Sequence, residues 1–196
     1  TKTSKEKFYN LDGSVSEVDM MYLDSSEFNP ITIVDEQNSV VGINLEYGNG
    51  AYSMTIIEPE NTCDTFERYL AKLVDGTYFR KSTCGYQYIK VPKFFVETQE
   101  EFCEILMAMG VRKAFETDEA DFSNLSPLTQ IAIDKVFHTA KFEVNEEGSK
   151  GEAASVYVMY PTGHHASYWI SDNPFIFFIT EKSSGAVVFA GKVTKL

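Results

Sequence analysis

The sequence predicts a mixed α and β chain that is dominated by β-structure, with antiparallel hairpins and two or three helices. Runs of β-branched and aromatic residues flank short glycine-containing turns, which is typical of hairpins. Two other segments carry apolar residues at helical spacing. Hydrophobic residues make up 43% of the 196 residues, enough for a sizeable core, and no repeat or long linker divides the chain.

The first half of the chain contains a predicted turn, strand, hairpin and helix. Asp12 and Gly13 predict a turn, and the strand EVDMMYL follows it. VVGINLEY and AYSMTII predict a hairpin, because the GNG between them accepts positive φ. Asn61 or Thr62 begins a predicted helix that ends at Gly76. The apolar residues of this helix are Phe66, Tyr69, Leu70 and Leu73.

The second half continues with strands on both sides of another helix. STCGYQYIKVPKFFVE predicts a long strand that Pro92 interrupts, because proline cannot donate to a ladder. Thr98 and Glu101 predict a capping box at the start of a helix that Gly110 ends. Its predicted buried stripe is Phe102, Ile105, Leu106 and Met109. LTQIAIDKVFHTAKFEV predicts mostly strand, and PFIFFIT and AVVFAGKV predict a final hairpin around KSSG.

Composition and motifs favour a protein that is not an enzyme. The formal net charge of −12 repels phosphate, so we expect no nucleic-acid partner. No apolar run is long enough for a membrane span. The sequence has no nucleophile elbow, phosphate-binding loop or HExxH motif, so we expect no catalytic residue and no cofactor. His164 and His165 are adjacent and point to opposite faces of a strand, so we expect no metal site either.

Four blocks, in this order, resemble the carboxy-terminal half of the serpins, a family of serine and cysteine protease inhibitors. They are EVDMMY, the segment from VPKFF to FSNLS, HTAKFEVNEEGS and NPFIFFITEKSSGAVVFAGKV. The resemblance covers nearly all of residues 1–196. It implies the carboxy-terminal portion of a single serpin domain, with strands of a large mixed sheet. The amino-terminal half of that domain is expected to be absent from this chain, as a separate or missing piece.

The resemblance also implies that residues 146–172 form a reactive-centre loop that acts as a suicide substrate. A target protease cuts the loop, the loop inserts into the main sheet, and the protease stays covalently trapped. The implied hinge residues are Gly148, Ser149, Gly151, Ala153, Ala154 and Ser155. On a strand with a period of two, Ser149, Gly151, Ala153 and Ser155 share the inward side, and all are small. Lys150 and Glu152 fall on the outward side, so the stretch fits a buried sheet with little steric penalty.

One departure from the family pattern keeps a second function open. Lys150-Gly151-Glu152 replaces part of the alanine-rich run that serpins carry after the hinge. Glycine weakens strand formation and could slow insertion. The alternative is therefore a non-inhibitory serpin-like binding or scaffold protein.

The resemblance further implies where the loop is cut. The family spacing between the hinge glycine and the scissile bond leads from Gly148 to Thr162. The family spacing between the scissile bond and the closing block leads back from Asn173-Pro174-Phe175 to Gly163, so Thr162–Gly163 is the candidate scissile bond. No Arg or Lys occurs between Val156 and Thr180. A trypsin-like pocket would leave its buried carboxylate unpaired, so we expect an elastase-, subtilisin- or chymotrypsin-like target, or a cysteine protease.

Three further positions follow from the resemblance. His138 matches a family histidine at the sheet-opening point, so we expect it buried and hydrogen-bonded in the middle of a strand. Lys93 and Glu146 match an ion pair near the insertion point of the loop. Two central strands of the main sheet would come from the absent half, so residues 86–96 and 133–144 are expected to lack partners between them. The family favours an extracellular or cell-surface location.

Overall fold

The computed structural model describes residues 2–24, 31–35, 40–47, 50–59, 80–83, 86, 88–127, 130–146 and 168–196. In chain order its strands are β1 (Lys2–Tyr9), β2 (Val15–Asp24), β3 (Ile31–Asp35), β4 (Val40–Tyr47), β5 (Tyr52–Ile57), β6 (Arg80–Thr83), β7 (Tyr88–Pro92), β8 (Phe94–Glu101), β9 (Phe137–Val144), β10 (Tyr168–Ile170), β11 (Phe175–Glu181) and β12 (Val187–Val193). Helix α1 (Cys103–Ala108) and a 3-10 turn at Lys113–Phe115 lie between β8 and β9. The β-dominated fold is confirmed.

The strands form three sheets in two compact units. Residues 1–94 and 144–196 form the first unit, and residues 95–143 form the second. The first unit holds a four-stranded sheet of order β1-β2-β7-β10 and a six-stranded sheet of order β12-β11-β5-β4-β3-β6. The remaining sheet pairs β8 with β9. The helix predicted between Asn61 and Gly76 lies outside the described residues.

The predicted hairpins are present in the first unit. β4 and β5 pair antiparallel up to Tyr47 opposite Tyr52, and Gly50 has a φ of +84°. β11 and β12 pair antiparallel around the KSSG turn. The predicted strand EVDMMYL lies within β2, and β1 and β2 pair across the turn that contains Asp12 and Gly13. The predicted interruption at Pro92 is also confirmed, because β7 ends there and β8 begins at Phe94.

Aromatic contacts join the two sheets of the first unit. Phe175 on β11 meets Phe8 on β1 edge-on, with ring centroids 6.3 Å apart. Phe94 contacts both Phe175 and Phe177, at 5.3 and 5.2 Å. Phe8 and Phe175 are fully buried. Burial of such rings is worth about 1.5–3 kcal/mol each, so this cluster is a main source of the unit's stability.

The capping box predicted at Thr98 and Glu101 is wrong. Both residues belong to β8, and α1 begins only at Cys103, without a side-chain cap. The Glu101 carboxylate binds Lys135 Nζ at 3.4 Å instead of capping a helix. The predicted buried stripe is wrong as well, since Ile105 and Met109 are 51% and 76% exposed and Phe102 and Leu106 are only half-buried. Cys103 is the buried residue of α1. Gly110, with a φ of +99°, does follow the helix end as predicted.

The strand predicted over residues 128–144 is shorter than expected. Residues 130–136 form no regular structure, and β9 occupies only Phe137–Val144. The preceding backbone bonds elsewhere: the Ile133 N–H donates to the Ala114 carbonyl, and the Val136 N–H donates to Cys103 Sγ at 3.2 Å. β9 pairs directly with β8, so the expectation that these two strands lack partners is wrong as well.

Candidate functional site

The candidate loop lies between two strands of different sheets. β9 ends at Val144, Glu146 follows it, and the next described strand, β10, begins at Tyr168. The hinge candidates Gly148, Ser149, Gly151, Ala153, Ala154 and Ser155 lie outside the described residues, as do Thr162 and Gly163. The geometry of the site is therefore that of the two flanks of the loop, at Glu146 and at β10.

The upstream flank contains the predicted ion pair. Lys93 Nζ lies 2.5 Å from Glu146 Oε2, and each side chain is about one-third exposed, at 34% and 33%. Thr3 Oγ1 on β1 donates to Glu146 Oε1 at 2.6 Å. The Lys93 backbone N–H donates to the Asp19 carbonyl at 2.8 Å, which fixes Lys93 against β2. Glu146 is thus bound by two side chains from separate segments.

The charge of Glu146 is strongly favoured by these partners. Hydrogen bonds from Lys93, then from Thr3 and the backbone, lower the pKa of Glu146 to about 2. Donors that bind a carboxylate favour its ionised form. Glu146, two positions past the end of β9, therefore stays ionised and anchored over the whole physiological pH range.

The downstream flank is a short edge strand. β10 has three residues and pairs in parallel with β7, with Trp169 opposite Ile89. Trp169 is buried, whereas Tyr168 stacks on Tyr88 with ring centroids 5.4 Å apart. A three-residue ladder has few hydrogen bonds, so these side-chain contacts contribute much of the attachment of β10.

A partly buried ion pair between β1 and β7 lies next to this strand, and the sequence did not reveal it. Lys90 Nζ binds both carboxylate oxygens of Glu6, at 2.8 and 3.0 Å, and Tyr22 Oη donates to Glu6 Oε1 at 2.7 Å. The Lys90 ammonium also lies 4.4 Å from the Tyr22 ring centroid and 5.5 Å from that of Tyr168. Lys90 is 12% exposed and Glu6 is 25% exposed.

The two members of this pair keep each other charged. Burial opposes ionisation of Glu6, but bonds from Lys90 and Tyr22 hold the pKa of Glu6 below its ordinary value. Burial likewise opposes the charge on Lys90, and the bond to Glu6 holds the pKa of Lys90 above its ordinary value. Strand alternation alone does not identify such a pair, because β1 and β7 are distant in sequence and not adjacent in the sheet.

His138 is not placed as expected. It is the second residue of β9 and is exposed, whereas a buried position in the middle of a strand was predicted. Its ring stacks on Phe102, with centroids 5.1 Å apart and an interplanar angle of 17°. The residues that precede β9 bond to the helical segment, which brings the start of the strand next to Phe102. The role of His138 in sheet opening stays a prediction.

The described part of the chain contains neither a metal-ligand cluster nor a helix that could span a membrane. Among those residues, no group of three or more His, Cys, Asp or Glu side chains is placed to hold a metal ion. The helical segments described there are all too short or too polar to cross a bilayer. Cys103 is a buried free thiol.

Comparison with known proteins gives one consistent family. The family model described as "Serpin (serine protease inhibitor)" matches residues 1–196. Intracellular coagulation inhibitor 2 of Tachypleus tridentatus is 30% identical over 201 residues, which cover all of this chain and 48% of that protein. Plasminogen activator inhibitor 2 of Homo sapiens is 30% identical over 148 residues, covering 75% of this chain and 34% of that protein.

Solved structures share the same fold. Native protease nexin-1, crystallised with heparin, matches with a TM-score of 0.73 and 23% identity, over 99% of this chain and 52% of that one. The thermophilic protein tengpin in its native state matches with a TM-score of 0.73 and 25% identity, over 99% and 50%. The chain therefore spans about half the length of these structures, and no more than half of the two relatives above.

Proposed function

Because this chain belongs to the serpin family, we propose that it is the carboxy-terminal portion of a protease inhibitor that acts as a suicide substrate. A protease attacks the loop between β9 and β10, and the acyl-enzyme forms. The freed amino-terminal part of the loop, residues 149–156, then inserts as a strand into the main sheet. The protein is consumed in this process and is not itself an enzyme.

The observation that carries this proposal is the side-chain alternation just after Glu146. Ser149, Gly151, Ala153 and Ser155 alternate with Lys150, Glu152, Ala154 and Val156. Charges in a sheet interior are costly, and here they all fall on one side. The anchored Glu146 defines where the segment leaves β9, and β10 defines where it rejoins a sheet. A cut between them frees the upstream strand while β10 stays attached.

We propose that the amino-terminal half of the serpin domain completes the inhibitor, as a separate piece or as a part of a longer chain. Apolar side chains in each unit support this. Phe95 and Phe137, in the second unit, are each 56% exposed. In the first unit, Val187, Val188 and Phe189 on β12 are between 39% and 51% exposed. Large apolar side chains exposed to this degree are candidates for contact with the amino-terminal half.

The target protease follows from the residues around the candidate scissile bond. Thr162–Gly163 lies within the window from Tyr160 to His164, which contains no Arg or Lys. Small or apolar substrate pockets accept these residues, whereas a pocket with a buried carboxylate does not. The proposed targets are elastase-, subtilisin- or chymotrypsin-like proteases, or a cysteine protease.

The test mixes the full-length protein with one protease of each class and with a trypsin-like protease as the control. We expect a covalent complex that survives denaturing electrophoresis for at least one of the proposed classes, with the loop cut between Tyr160 and His164. No complex is expected with the trypsin-like protease. Cleavage at the same bond without any complex, across all classes, contradicts the trapping mechanism.

That last outcome would favour the alternative, a non-inhibitory serpin-like binding or scaffold protein. Lys150-Gly151-Glu152 is the observation that supports it, because this tripeptide is a poor strand former compared with an alanine run. Slow insertion gives deacylation time to release the protease. The two functions therefore differ in the fate of the acyl-enzyme and not in whether the loop is cut.

A further inference from the structure

Residues 171–174 form a connector between the two sheets of the first unit. The connector leaves β10 in the four-stranded sheet and enters β11 in the six-stranded sheet. Its backbone is held at two points. The Ser171 N–H donates to the Lys90 carbonyl at 2.9 Å, and the Tyr9 N–H donates to the Asp172 carbonyl at 2.8 Å. Any loosening of the connector therefore loosens the attachment of β10 to β7.

Glu58 meets this connector from the other sheet. It directly follows β5, whose last residue, Ile57, pairs with Ile176 on β11. The Ser171 hydroxyl and the Asn173 backbone N–H both interact with the Glu58 carboxyl group and lower its pKa. Ser171 is fully buried, and within the described part of the chain neither Ser171 Oγ nor Glu58 Oε1 completes a hydrogen bond of good geometry. A buried polar atom without a partner is costly, and the cost rises greatly if the group is charged.

Among the residues that the structure describes, Glu58 has a negative neighbour, Asp172, and no cation that lowers its pKa. Burial raises the pKa of Glu58 to about 8, although the Ser171 hydroxyl and the Asn173 N–H lower it, and the charge of Asp172 raises it further. The pKa of Asp172 is raised as well, mainly by burial and further by the charge of Glu6. A hydrogen bond from the Asp172 backbone and the charge of Lys90 oppose this shift. Lys90 is already bound to Glu6. Within the described ranges, the charge that acts on Glu58 is that of Asp172, and Glu6 and Lys90 act in turn on Asp172.

We propose that Glu58 is a protonation-controlled latch on the connector and, through it, on β10. With a neutral carboxyl group, Glu58 Oε1 stays shielded from solvent next to Ser171, and the connector is held between the sheets. When the carboxyl group ionises, an unpaired charge lies next to Asp172 at the crossing, and the connector opens to water. This latch concerns the strand after the candidate loop, but it does not depend on protease inhibition.

The direction of the pH effect follows from linkage. The folded pKa of Glu58 is about 8, above the ordinary value of 4.5. The closed state therefore binds more protons than the opened state between these two values, and the closed state loses stability as pH rises through this window. Below about 4.5 the stabilisation is fully present. Hydrogen-exchange protection of the Ser171 and Tyr9 amides should fall by roughly tenfold per pH unit within the window.

The test compares the parent protein with Glu58→Gln, which keeps the shape of the side chain and cannot ionise. Protection factors of the Ser171 and Tyr9 amides, corrected for intrinsic exchange, are measured between pH 5 and 9. We expect them to fall with pH in the parent and to stay level in Glu58→Gln, with higher protection in the variant at the alkaline end. Glu17→Gln, an exposed position on β2, is the matched control and should behave like the parent.

A second measurement does not depend on any variant. The carboxyl carbon of Glu58 is followed by NMR as the parent protein is titrated. A midpoint near 8 supports the latch, and a midpoint near 4.5 overturns it. Equal pH slopes of the two amides in the parent and in Glu58→Gln overturn it too.

Discussion

At the scale of single residues, Lys93 joins separate parts of the first unit. Its backbone N–H binds the Asp19 carbonyl, and its ammonium group binds Glu146, which also accepts from Thr3. This places the start of the candidate loop next to the edge of β1. The family pattern predicted the ion pair, but the contribution of Thr3 depends on the sheet order and could not be read from the sequence.

The Glu146 anchor gives a prediction about acid stability. The folded pKa of Glu146 is about 2, below its ordinary value of 4.5. Its contribution to the free energy of unfolding is therefore present above 4.5 and is lost as pH falls toward about 2. Glu146→Gln should lower the free energy of unfolding at neutral pH by about 1 kcal/mol or less, because the pair is partly exposed. The variant should also lose less stability than the parent on acidification.

Chemical denaturation at a series of pH values checks this prediction. Asp19→Asn is the matched control, since its pair with Lys5 is more exposed, at 45% and 57%, and a smaller effect is expected. If Glu146→Gln and the parent show the same loss of stability between pH 5 and 2, the anchor does not work as described.

At the scale of secondary-structure elements, structure that depends on the local sequence was predicted correctly. Structure that depends on contacts with distant residues was not. The hairpin β4–β5 pairs up to Tyr47 and Tyr52, with Gly50 at a φ of +84° between them, so the local sequence contains what determines it. The start of α1, in contrast, is not determined by its local sequence. Glu101 reads as a helix cap, but in the fold it binds Lys135, 34 positions away, and the strand continues through it. The same holds for residues 130–136, whose backbone bonds to the helical segment replace a ladder.

The pairing of β11 with β12 depends on a glycine. Gly191 lies opposite Phe177, and a Cβ at Gly191 would lie 2.7 Å from the Phe177 ring. Gly191→Ala should therefore force the ring or the strand to move and lower the free energy of unfolding by about 1–3 kcal/mol. The double variant Gly191→Ala with Phe177→Leu should regain part of this loss, because the smaller side chain makes room. Thermal and chemical unfolding of the variants measure the effect.

No rescue in that double variant, relative to Phe177→Leu alone, would show that the ring is not the obstacle. A Gly191→Ala variant as stable as the parent would contradict the close approach itself. Either result would mean that β11 and β12 pack less tightly than the contact between Gly191 and Phe177 indicates.

At the scale of the whole molecule, the chain belongs to the serpin family, and its candidate loop is flanked by two unlike anchors. Upstream, Glu146 is held by an ion pair at the surface. Downstream, β10 is held by a short ladder, the Tyr168–Tyr88 stack and the connector next to Glu58. The family could be predicted from sequence blocks, whereas the partly buried Glu6–Lys90 pair and Glu58 could not. Their neighbours come from strands that only the sheet topology brings together.

The proposed function requires that the cut loop enters a sheet with one fixed side inward. It is tested most directly by two variants of adjacent alanines in the full-length protein, Ala153→Arg and Ala154→Arg. Ala153 is on the inward side and Ala154 on the outward side. Each variant is mixed with a protease that the parent traps, and the fraction of cut loop that ends in covalent complex is measured.

We predict that Ala153→Arg is cut normally but releases active protease, because insertion would bury an unpaired charge at a cost of several kcal/mol. Ala154→Arg should trap the protease about as well as the parent, since its charge stays at the surface. If both variants trap the protease equally, or both release it equally, insertion with this alternation is not how the protein acts.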